Sequence, residues 1–216
     1  MTPALSVQDL SFGYRQSAPP IFSELHRDFT PGRLTAVTGP SGSGKSTLLY
    51  VLGLMLTPTS GTVSWAGEQV TGWRDSDRSR LRAQSIGFVF QDSMLDPART
   101  ALGNVMEAAT IARMPRPAAL RETTALLRRF GLESLADHRP GEVSGGQAQR
   151  IALCRALVKR PSLILADEPT GNLDTESAEV VWQALYAAAA DGATVVVATH
   201  DQLRAECADE LLVIGA

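Results

Sequence analysis

A glycine-rich run that ends in lysine and serine is the segment of this sequence with the clearest chemical potential. Residues 39–46 read GPSGSGKS and follow a short apolar run at 34–37. Its glycines let the backbone curl so that N–H groups point at an anion, and a helix that begins there adds a favourable dipole. This spacing between a strand and a helix predicts a phosphate-binding loop. Lys45 offers a charge to the phosphates, and Ser46 offers a hydroxyl to Mg²⁺. The residues predicted to contact the nucleotide here are Gly39, Pro40, Ser41, Gly42, Ser43, Gly44, Lys45, Ser46 and Thr47.

Two adjacent carboxylates follow another apolar run, residues 163–166. We expect Asp167 to hold Mg²⁺ through water, and Glu168 to polarise the attacking water as a general base. A carboxylate pair in this place could instead cap the helix after Pro169. The phosphate loop makes the catalytic interpretation the favoured one.

Two further polar residues follow short apolar strands. Gln91 comes after residues 86–90, and His200 comes after residues 194–199. Short apolar strands are typical of a parallel sheet that is buried on both faces, and ligands bind beyond the C-terminal ends of such strands. We therefore expect Gln91 to ligate Mg²⁺ or the water, and His200 to reach the γ phosphate. Each residue alone is a weak signal, since a lone glutamine is commonly a surface residue and a lone histidine a core residue.

A second potential anion cradle lies far from the first. The run SGGQ consists of Ser144, Gly145, Gly146 and Gln147 and opens a helical pattern. Its bare backbone N–H groups suit an anion. One chain cannot easily wrap both cradles around a single nucleotide, so we expect a second copy to supply one of them.

The elements around these motifs indicate an α/β fold with a mainly parallel sheet. The segments 4–14, 21–29 and 61–70 alternate apolar and polar residues, which predicts an antiparallel β edge. Between residues 92 and 160 the pattern becomes helical. We therefore predict a single domain, residues 1–216, with a P-loop NTPase core at 1–91 and 161–216 and an inserted α-helical lobe at 92–160.

Bulk composition narrows the possible partners and locations. The net charge is −3 and the pI about 5.6, which argues against a nucleic-acid-binding surface. The longest apolar run, residues 48–56, is shorter than the roughly 20 residues of a membrane-spanning helix. The N-terminus lacks the pattern of a secretory signal. Cys154 and Cys207 lie far apart and suggest neither a metal site nor a disulfide. A cytosolic chain is expected.

With these motifs in this order, the whole chain resembles the ATPase domain of ABC proteins. The matching positions are Tyr14, GPSGSGKST, Gln91, VSGGQ, LILADE, Leu173-Asp174 and His200. The resemblance implies that ATP and Mg²⁺ are the ligands, that Tyr14 stacks on adenine, and that Asp174, in the segment called the D-loop, is a further nucleotide-binding residue. It also implies a head-to-tail homodimer on ATP, with each nucleotide between one copy's phosphate loop and the other's signature, VSGGQ. The dimer would drive a separate transmembrane permease from the cytoplasmic face of the inner membrane, as a peripheral subunit.

Three runs resemble the bacterial branch that contains lipoprotein-release, macrolide-export and cell-division ATPases. They are IGFVFQ at 86–91, TALxNV at 100–105 and EPTGNLD at 168–174. Transport and force transmission without a transported solute both remain open, because the same motifs serve both. A soluble ATPase acting on DNA or ribosomes is disfavoured by the single uninterrupted cassette.

The sequence departs from this branch in a few places. Val143 stands where the signature usually has leucine, and Asp96, Arg99 and Gly103 differ from the usual residues of the segment that touches the permease in relatives. Residues 92–104 are the predicted docking segment, with apolar contact from Met94 and Leu95. A plain solvated loop is the alternative interpretation.

Overall fold

Nine strands and seven helices make up the computed structural model, which describes residues 5–15 and 19–215. The strands are β1 (Leu5–Phe12), β2 (Phe22–Phe29), β3 (Leu34–Thr38), β4 (Ser60–Trp65), β5 (Glu68–Gln69), β6 (Ile86–Val89), β7 (Leu163–Asp167), β8 (Thr194–Ala198) and β9 (Glu210–Val213). The helices are α1 (Lys45–Leu52), α2 (Asp75–Ser85), α3 (Ala101–Ile111), α4 (Arg116–Arg129), α5 (Gly145–Leu157), α6 (Thr175–Ala190) and α7 (Gln202–Glu206). Short 3-10 turns occupy Glu133–Leu135 and Pro140–Glu142.

The parallel sheet contains five strands in the order β6-β7-β8-β3-β9. Every residue of β7 and β8 is buried, as the apolar composition of these strands predicts. Successive side chains of a strand point to opposite faces. Ile164 and Val195 accordingly pack with the helices α3 to α6, whereas Leu165 and Val196 pack with α1 and the antiparallel strands. The α/β fold class is confirmed.

The antiparallel strands form a sheet of their own, in the order β2-β1-β4-β5. The predicted segment 61–70 divides into β4 and β5, which are joined by a two-residue turn at Ala66 and Gly67. Both residues have positive φ, at 49° and 85°, which suits the twist of a tight hairpin. The antiparallel part of the fold is therefore a separate layer packed against α1, rather than a continuation of the parallel sheet.

Helix α5 begins where its sequence predicts. Ser144 is its N-cap and accepts a hydrogen bond from the N–H of Gln147, whose side chain in turn accepts one from the N–H of Ser144. The helix ends at Leu157, three residues before residue 160, where the helical pattern of the sequence ends. Lys159 turns away and donates to the carbonyls of Arg82 and Ala83, the last turn of α2.

Helices α3, α4 and α5 pack against one another within the segment 92–160. Their apolar side chains, such as Val105, Leu127 and Ile151, share one hydrophobic cluster with α6 and one face of the parallel sheet. The division into a core and a helical lobe stays a prediction. Among the described residues, no helix combines the length and the apolar character needed to cross a membrane.

Glu210 links the two sheets. From β9 its carboxylate accepts hydrogen bonds from Arg27 at 2.7 Å, Thr30 at 3.1 Å and Thr35 at 3.3 Å. Arg27 belongs to β2 of the antiparallel sheet, and Thr35 belongs to β3 of the parallel sheet. This half-buried cluster fixes the orientation of one layer against the other.

Replacing Glu210 with alanine should lower the free energy of unfolding by about 1–3 kcal/mol, because a charge-assisted hydrogen bond is lost and Arg27 is left without its partner. Urea denaturation measures the change. The matched control is Glu68→Ala, since Glu68 is an exposed strand residue whose side chain has no hydrogen-bond or ion-pair partner among the described residues. Equal effects of the two substitutions would contradict the role given to Glu210.

Candidate phosphate-binding and catalytic site

The loop between β3 and α1 has the curled backbone that an anion cradle requires. Gly39 has φ +150° and Gly44 has φ +95°. A Cβ on Gly39 would lie 2.2 Å from the carbonyl oxygen of Ile214, and one on Gly44 would lie 2.2 Å from a methyl carbon of Ile21. Both positions therefore need glycine for reasons of space. Helix α1 starts at Lys45 with no side-chain cap and no acidic residue in its first turn, so its N-terminus favours an anion.

The polar side chains of the loop bond within the loop or lack partners. The Nζ of Lys45 donates to the carbonyls of Gly39 at 2.9 Å and Pro40 at 3.1 Å. The hydroxyl oxygen of Ser43 is buried without a hydrogen-bond partner. The backbone N–H groups of the loop, the ammonium group of Lys45 and the unpartnered hydroxyl of Ser43 can all donate hydrogen bonds to phosphate oxygens. Pro40, Ser41 and Gly42 are exposed at its tip.

Two of the three predicted Mg²⁺ ligands, Ser46 and Asp167, meet at the C-terminal edge of the parallel sheet. The Oγ of Ser46 donates to Oδ1 of Asp167 at 2.9 Å, and the hydroxyl of Tyr50 donates to Oδ2 at 3.4 Å. Burial raises the pKa of the Asp167 carboxyl above its ordinary value, and the hydrogen bonds from Ser46 and Tyr50 and the nearby charge of Lys45 partly offset this. A hydroxyl beside a carboxylate is an oxygen donor set of the kind that Mg²⁺ prefers. The residues present fit the ion.

Glu168 and His200 are in direct contact. The Nδ1 of His200 lies 2.7 Å from Oε2 of Glu168, and the backbone N–H of His200 donates to the same oxygen at 3.3 Å. The side chain of Glu168 is 16% exposed and that of His200 is 72% exposed. Glu168 also has φ 44°, a left-handed conformation that L residues rarely adopt. The carboxylate is held on a strained turn with its histidine facing solvent.

His200 and the phosphate loop border the same cavity. Its volume is about 440 Å³, and Gly39, Pro40 and Thr199 line it together with His200. His200 is expected to reach the γ phosphate, and the histidine does lie next to this loop. No hydrogen bond joins it to the loop within the described part of the chain.

Gln91 is an exposed residue close to the carboxylate turn. A Cβ built on Gly171 would lie 3.8 Å from Nε2 of Gln91 and 3.9 Å from Cβ of Glu168. The strands β6, β7 and β8 therefore bring Gln91, Glu168 and His200 to one edge of the sheet. This is the convergence expected from three separate runs of sequence.

The second cradle lies at the start of α5. A Cβ on Gly145 would meet nothing within 4 Å, whereas one on Gly146 would lie 2.6 Å from Oγ of Ser177. Asp174 is the N-cap of α6 and accepts from the N–H and the hydroxyl of Ser177 at 2.8 and 2.9 Å. These hydrogen bonds lower the pKa of Asp174. Ser177 thus bonds to Asp174 and lies close against the backbone of Gly146.

No hydrogen bond between described residues joins residues 144–147 to the phosphate loop. The structure brings five of the predicted residues to the C-terminal edge of the parallel sheet: Ser46, Asp167, Glu168, His200 and Gln91. The signature lies at the start of α5, whereas the phosphate loop leads into α1.

Tyr14 is 67% exposed. Its ring packs edge to face on Phe12 with centroids 5.0 Å apart, and its hydroxyl shares a hydrogen bond of 3.3 Å with Oγ1 of Thr47. The ring therefore stands beside the first turn of α1 with one face available. That position suits an aromatic ring that stacks on a base.

Tyr50, Gln149 and Arg155 contact the site or its supporting segments and were missed by sequence analysis. Tyr50 lies four residues after Ser46 on α1, so helical spacing places both on one face, and that signal could have found it. Gln149 and Arg155 donate to backbone carbonyls of residues 90, 93 and 94. These contacts join distant segments, and no local pattern predicts them.

Comparison with known sequences agrees with this geometry. The chain is 41% identical over 211 residues to the "Lipoprotein-releasing system ATP-binding protein LolD" of Pseudomonas fluorescens, covering 96% of this chain and 93% of the relative. It is 47% identical over 176 residues to the protein of the same name from Myxococcus xanthus, covering 81% and 79%. The resemblance to the lipoprotein-release branch is confirmed.

Solved structures agree as well. One neighbour is the "Dimeric structure of a post-hydrolysis state of the ATP-binding cassette MJ0796 bound to ADP and Pi", with a TM-score of 0.89, 33% identity, and coverage of 97% of this chain and 94% of that one. A second dimeric structure of MJ0796, titled "a Bacterial ABC Transporter Cassette", matches equally well. A family model described as "ABC transporter" matches residues 22–171. This chain belongs to the ABC transporter family.

Proposed function

We propose that this chain is the ATP-binding and ATP-hydrolysing subunit of an ABC transport complex. The observation that carries the proposal is the contact between Ser46 at the end of the glycine cradle and Asp167 at the end of β7. This contact places the oxygen atoms that could bind Mg²⁺ directly beside the loop whose backbone could bind phosphate. The names of the relatives, which are ATP-binding components of lipoprotein-releasing systems, support transport over force transmission without a solute.

Binding would rest on the loop between β3 and α1. Its N–H groups and the N-terminus of α1 would hold the phosphates, and Lys45 would exchange its bonds to Gly39 and Pro40 for bonds to phosphate oxygens. Tyr14 would stack on the base. Ser46 and Asp167 would hold Mg²⁺ with Gln91, and the ion supplies neutralisation of charge on the phosphates.

Hydrolysis would rest on Glu168. Its carboxylate would accept a proton from the attacking water, as a positioned general base does. His200 holds the carboxylate in place through two contacts, and its exposed ring can turn from Glu168 to a phosphate oxygen. Gln91 would orient the water from the neighbouring strand.

A complete site would need two copies of the chain. Ser144, Gly145, Gly146 and Gln147 have no hydrogen bond to the loop at 39–47, so we assign them to the nucleotide of the opposite copy, with Asp174 beside them at the interface. The dimeric cassettes among the similar structures support this assignment. Closing on ATP would be a shift of population toward a dimer that binds nucleotide more tightly.

The permease that this dimer drives would be a separate membrane protein, with the ATPase attached to the cytoplasmic face of the inner membrane. The segment 92–104 is our docking site, and the structure revises its contacts. Leu95 packs partly into the hydrophobic cluster, while Met94 is 63% exposed. Arg99 bonds to Asp96 and Glu107, both at 2.9 Å, so these charges largely satisfy one another.

Replacing Glu168 with glutamine should leave MgATP binding in place and reduce turnover by about 10²–10⁴-fold, because the amide keeps the shape but cannot accept the proton. Calorimetric titration and a phosphate-release assay measure the two effects. Glu68→Gln is the control, since this glutamate is exposed on β5 of the antiparallel sheet, outside the proposed machinery. A Glu168→Gln chain that turns over at the parent rate would remove Glu168 from the mechanism.

Mixing two inactive chains tests the shared site. A Ser144→Arg chain keeps its phosphate loop, and a Lys45→Ala chain keeps its signature, so each mixed dimer regains one intact composite site. Equal amounts should recover about a quarter of parental ATPase activity, since half the dimers are mixed and each has one of two sites. Activity no higher than that of either chain alone would argue against a site built from two copies.

Replacing Met94 with glutamate should weaken association with the permease and abolish its stimulation of ATP turnover, while MgATP binding by the isolated chain is unchanged. A charge placed in an apolar contact loses the contact and must be desolvated. Pull-down of the permease with ATPase assays provides the measurement. Ile111→Glu, at an exposed apolar residue on α3 outside the segment, is the control. Undiminished association would place docking elsewhere.

A further inference from the structure

Helix α5 holds the backbone on the N-terminal side of Gln91. The side chain of Gln149 is 3% exposed, and its Nε2 donates to the carbonyl oxygen of Phe90 at 2.9 Å. A buried amide is costly to leave unpaired, so this contact is strongly favoured. It fixes the peptide between Phe90 and Gln91 to Gln149, which lies three residues after Gly146 of the signature.

The same helix holds the backbone on the C-terminal side of Gln91. Arg155 donates from Nη2 to the carbonyl of Ser93 at 2.7 Å and from Nη1 to that of Met94 at 2.5 Å. Ser93 and Met94 have φ 56° and 50°, two successive left-handed residues without glycine. Such a turn persists only where its surroundings hold it, and the planar fork of an arginine can donate to two successive carbonyls at once.

We infer that Gln149 and Arg155 are positioning residues that tie Gln91 to the signature helix, so that the glutamine of one nucleotide site moves with the cradle offered to the other. This inference rests on the ATPase function proposed above. One end of α5 carries Ser144 and Gly146, and its side chains grip the segment 90–94 on both sides of Gln91. Rotation of the helix therefore displaces the glutamine.

Stacked rings continue the connection toward the metal-binding residues. Phe90 stacks on Phe88 with centroids 4.3 Å apart, Phe88 packs on Tyr50 at 5.7 Å, and Tyr50 donates to Asp167. Phe90, whose carbonyl accepts from Gln149, is thus connected through the ring of Phe88 to Tyr50, which bonds the carboxylate of Asp167. A shift of the segment 90–94 would therefore displace Gln91 and also disturb the packing of Phe90 and Phe88 on Tyr50.

Lys159 provides a matched control. It follows α5 and also donates to two successive carbonyls, those of Arg82 and Ala83 at 2.8 and 2.7 Å, but these belong to α2. Arg155→Met and Lys159→Met therefore each remove a long cation bonded to a pair of carbonyls. Only the first releases the segment next to Gln91.

Hydrogen exchange of the nucleotide-free protein tests the tether without requiring activity. Arg155→Met should accelerate exchange of the amides at 91–96 about tenfold, because the left-handed turn loses its support. Arg155→Lys, which keeps the charge, should restore part of the protection. Lys159→Met should leave 91–96 unchanged and accelerate exchange near residues 82–86. Unchanged exchange at 91–96 in Arg155→Met would overturn the inference.

A double-mutant cycle tests positioning. Arg155→Met and Gln149→Glu should each lower kcat by about 10- to 100-fold with little change in KM for ATP, since displacement of a reacting group by about 1 Å has effects of this size. In a Gln91→Ala background the same substitutions should lower kcat by less than about twofold, because they act through the missing glutamine. Lys159→Met should have the same effect in both backgrounds.

Multiplicative loss of kcat in the Arg155→Met/Gln91→Ala chain would overturn the inference, since Arg155 would then act by another route. If the parent chain itself had no ATPase activity, the proposed ATPase function would be refuted. Hydrogen exchange of the Arg155→Met and Lys159→Met chains would still decide whether α5 holds the segment 90–94.

Discussion

The parallel register of β3, β8 and β7 is the constraint on which the site depends. Val37 of β3 and Asp167 of β7 both pair with Ala198 of β8, so the three strands end at the same level. Each strand is buried on both faces by apolar side chains, and slipping one strand by a residue would exchange the side chains that pack with α3 to α6 for those that pack with α1. The loop at 39–46, the carboxylates and His200 follow directly from these ends. The positions of the polar groups are therefore set by the packing of the sheet.

The site combines fixed and movable groups. The glycine backbone and the Ser46–Asp167 contact belong to the rigid sheet edge, whereas His200 and Gln91 are exposed side chains on short connections. Burial alone would favour a neutral Asp167, and the donors around it act in the opposite sense. The hydrogen bonds from Ser46 and Tyr50 fix both carboxyl oxygens of Asp167 at the place proposed for the metal ion. The groups proposed to respond to nucleotide are those with freedom to turn.

Sequence analysis predicted the central part of this arrangement because its signals are local. Short apolar strands before Gly39, Asp167 and His200 predict a parallel sheet, and Ser144 before two glycines predicts a helix start; the structure has both. Helix α2 was missed because it buries no residue and its sequence has no apolar stripe. The contacts of Gln149, Arg155 and Glu210 were missed because each joins segments more than fifty residues apart. Only the folded chain brings those pairs together.

In the proposed dimer each nucleotide lies between the phosphate loop of one copy and the signature of the other. A crystal structure of the Glu168→Gln chain with MgATP would show whether it does. We expect a head-to-tail dimer in which the phosphates accept hydrogen bonds from the backbone of residues 39–47 of one copy and from Ser144 and Gly146 of the other. A nucleotide bound by the backbone of one copy alone, or held at a different edge of the sheet, would contradict it.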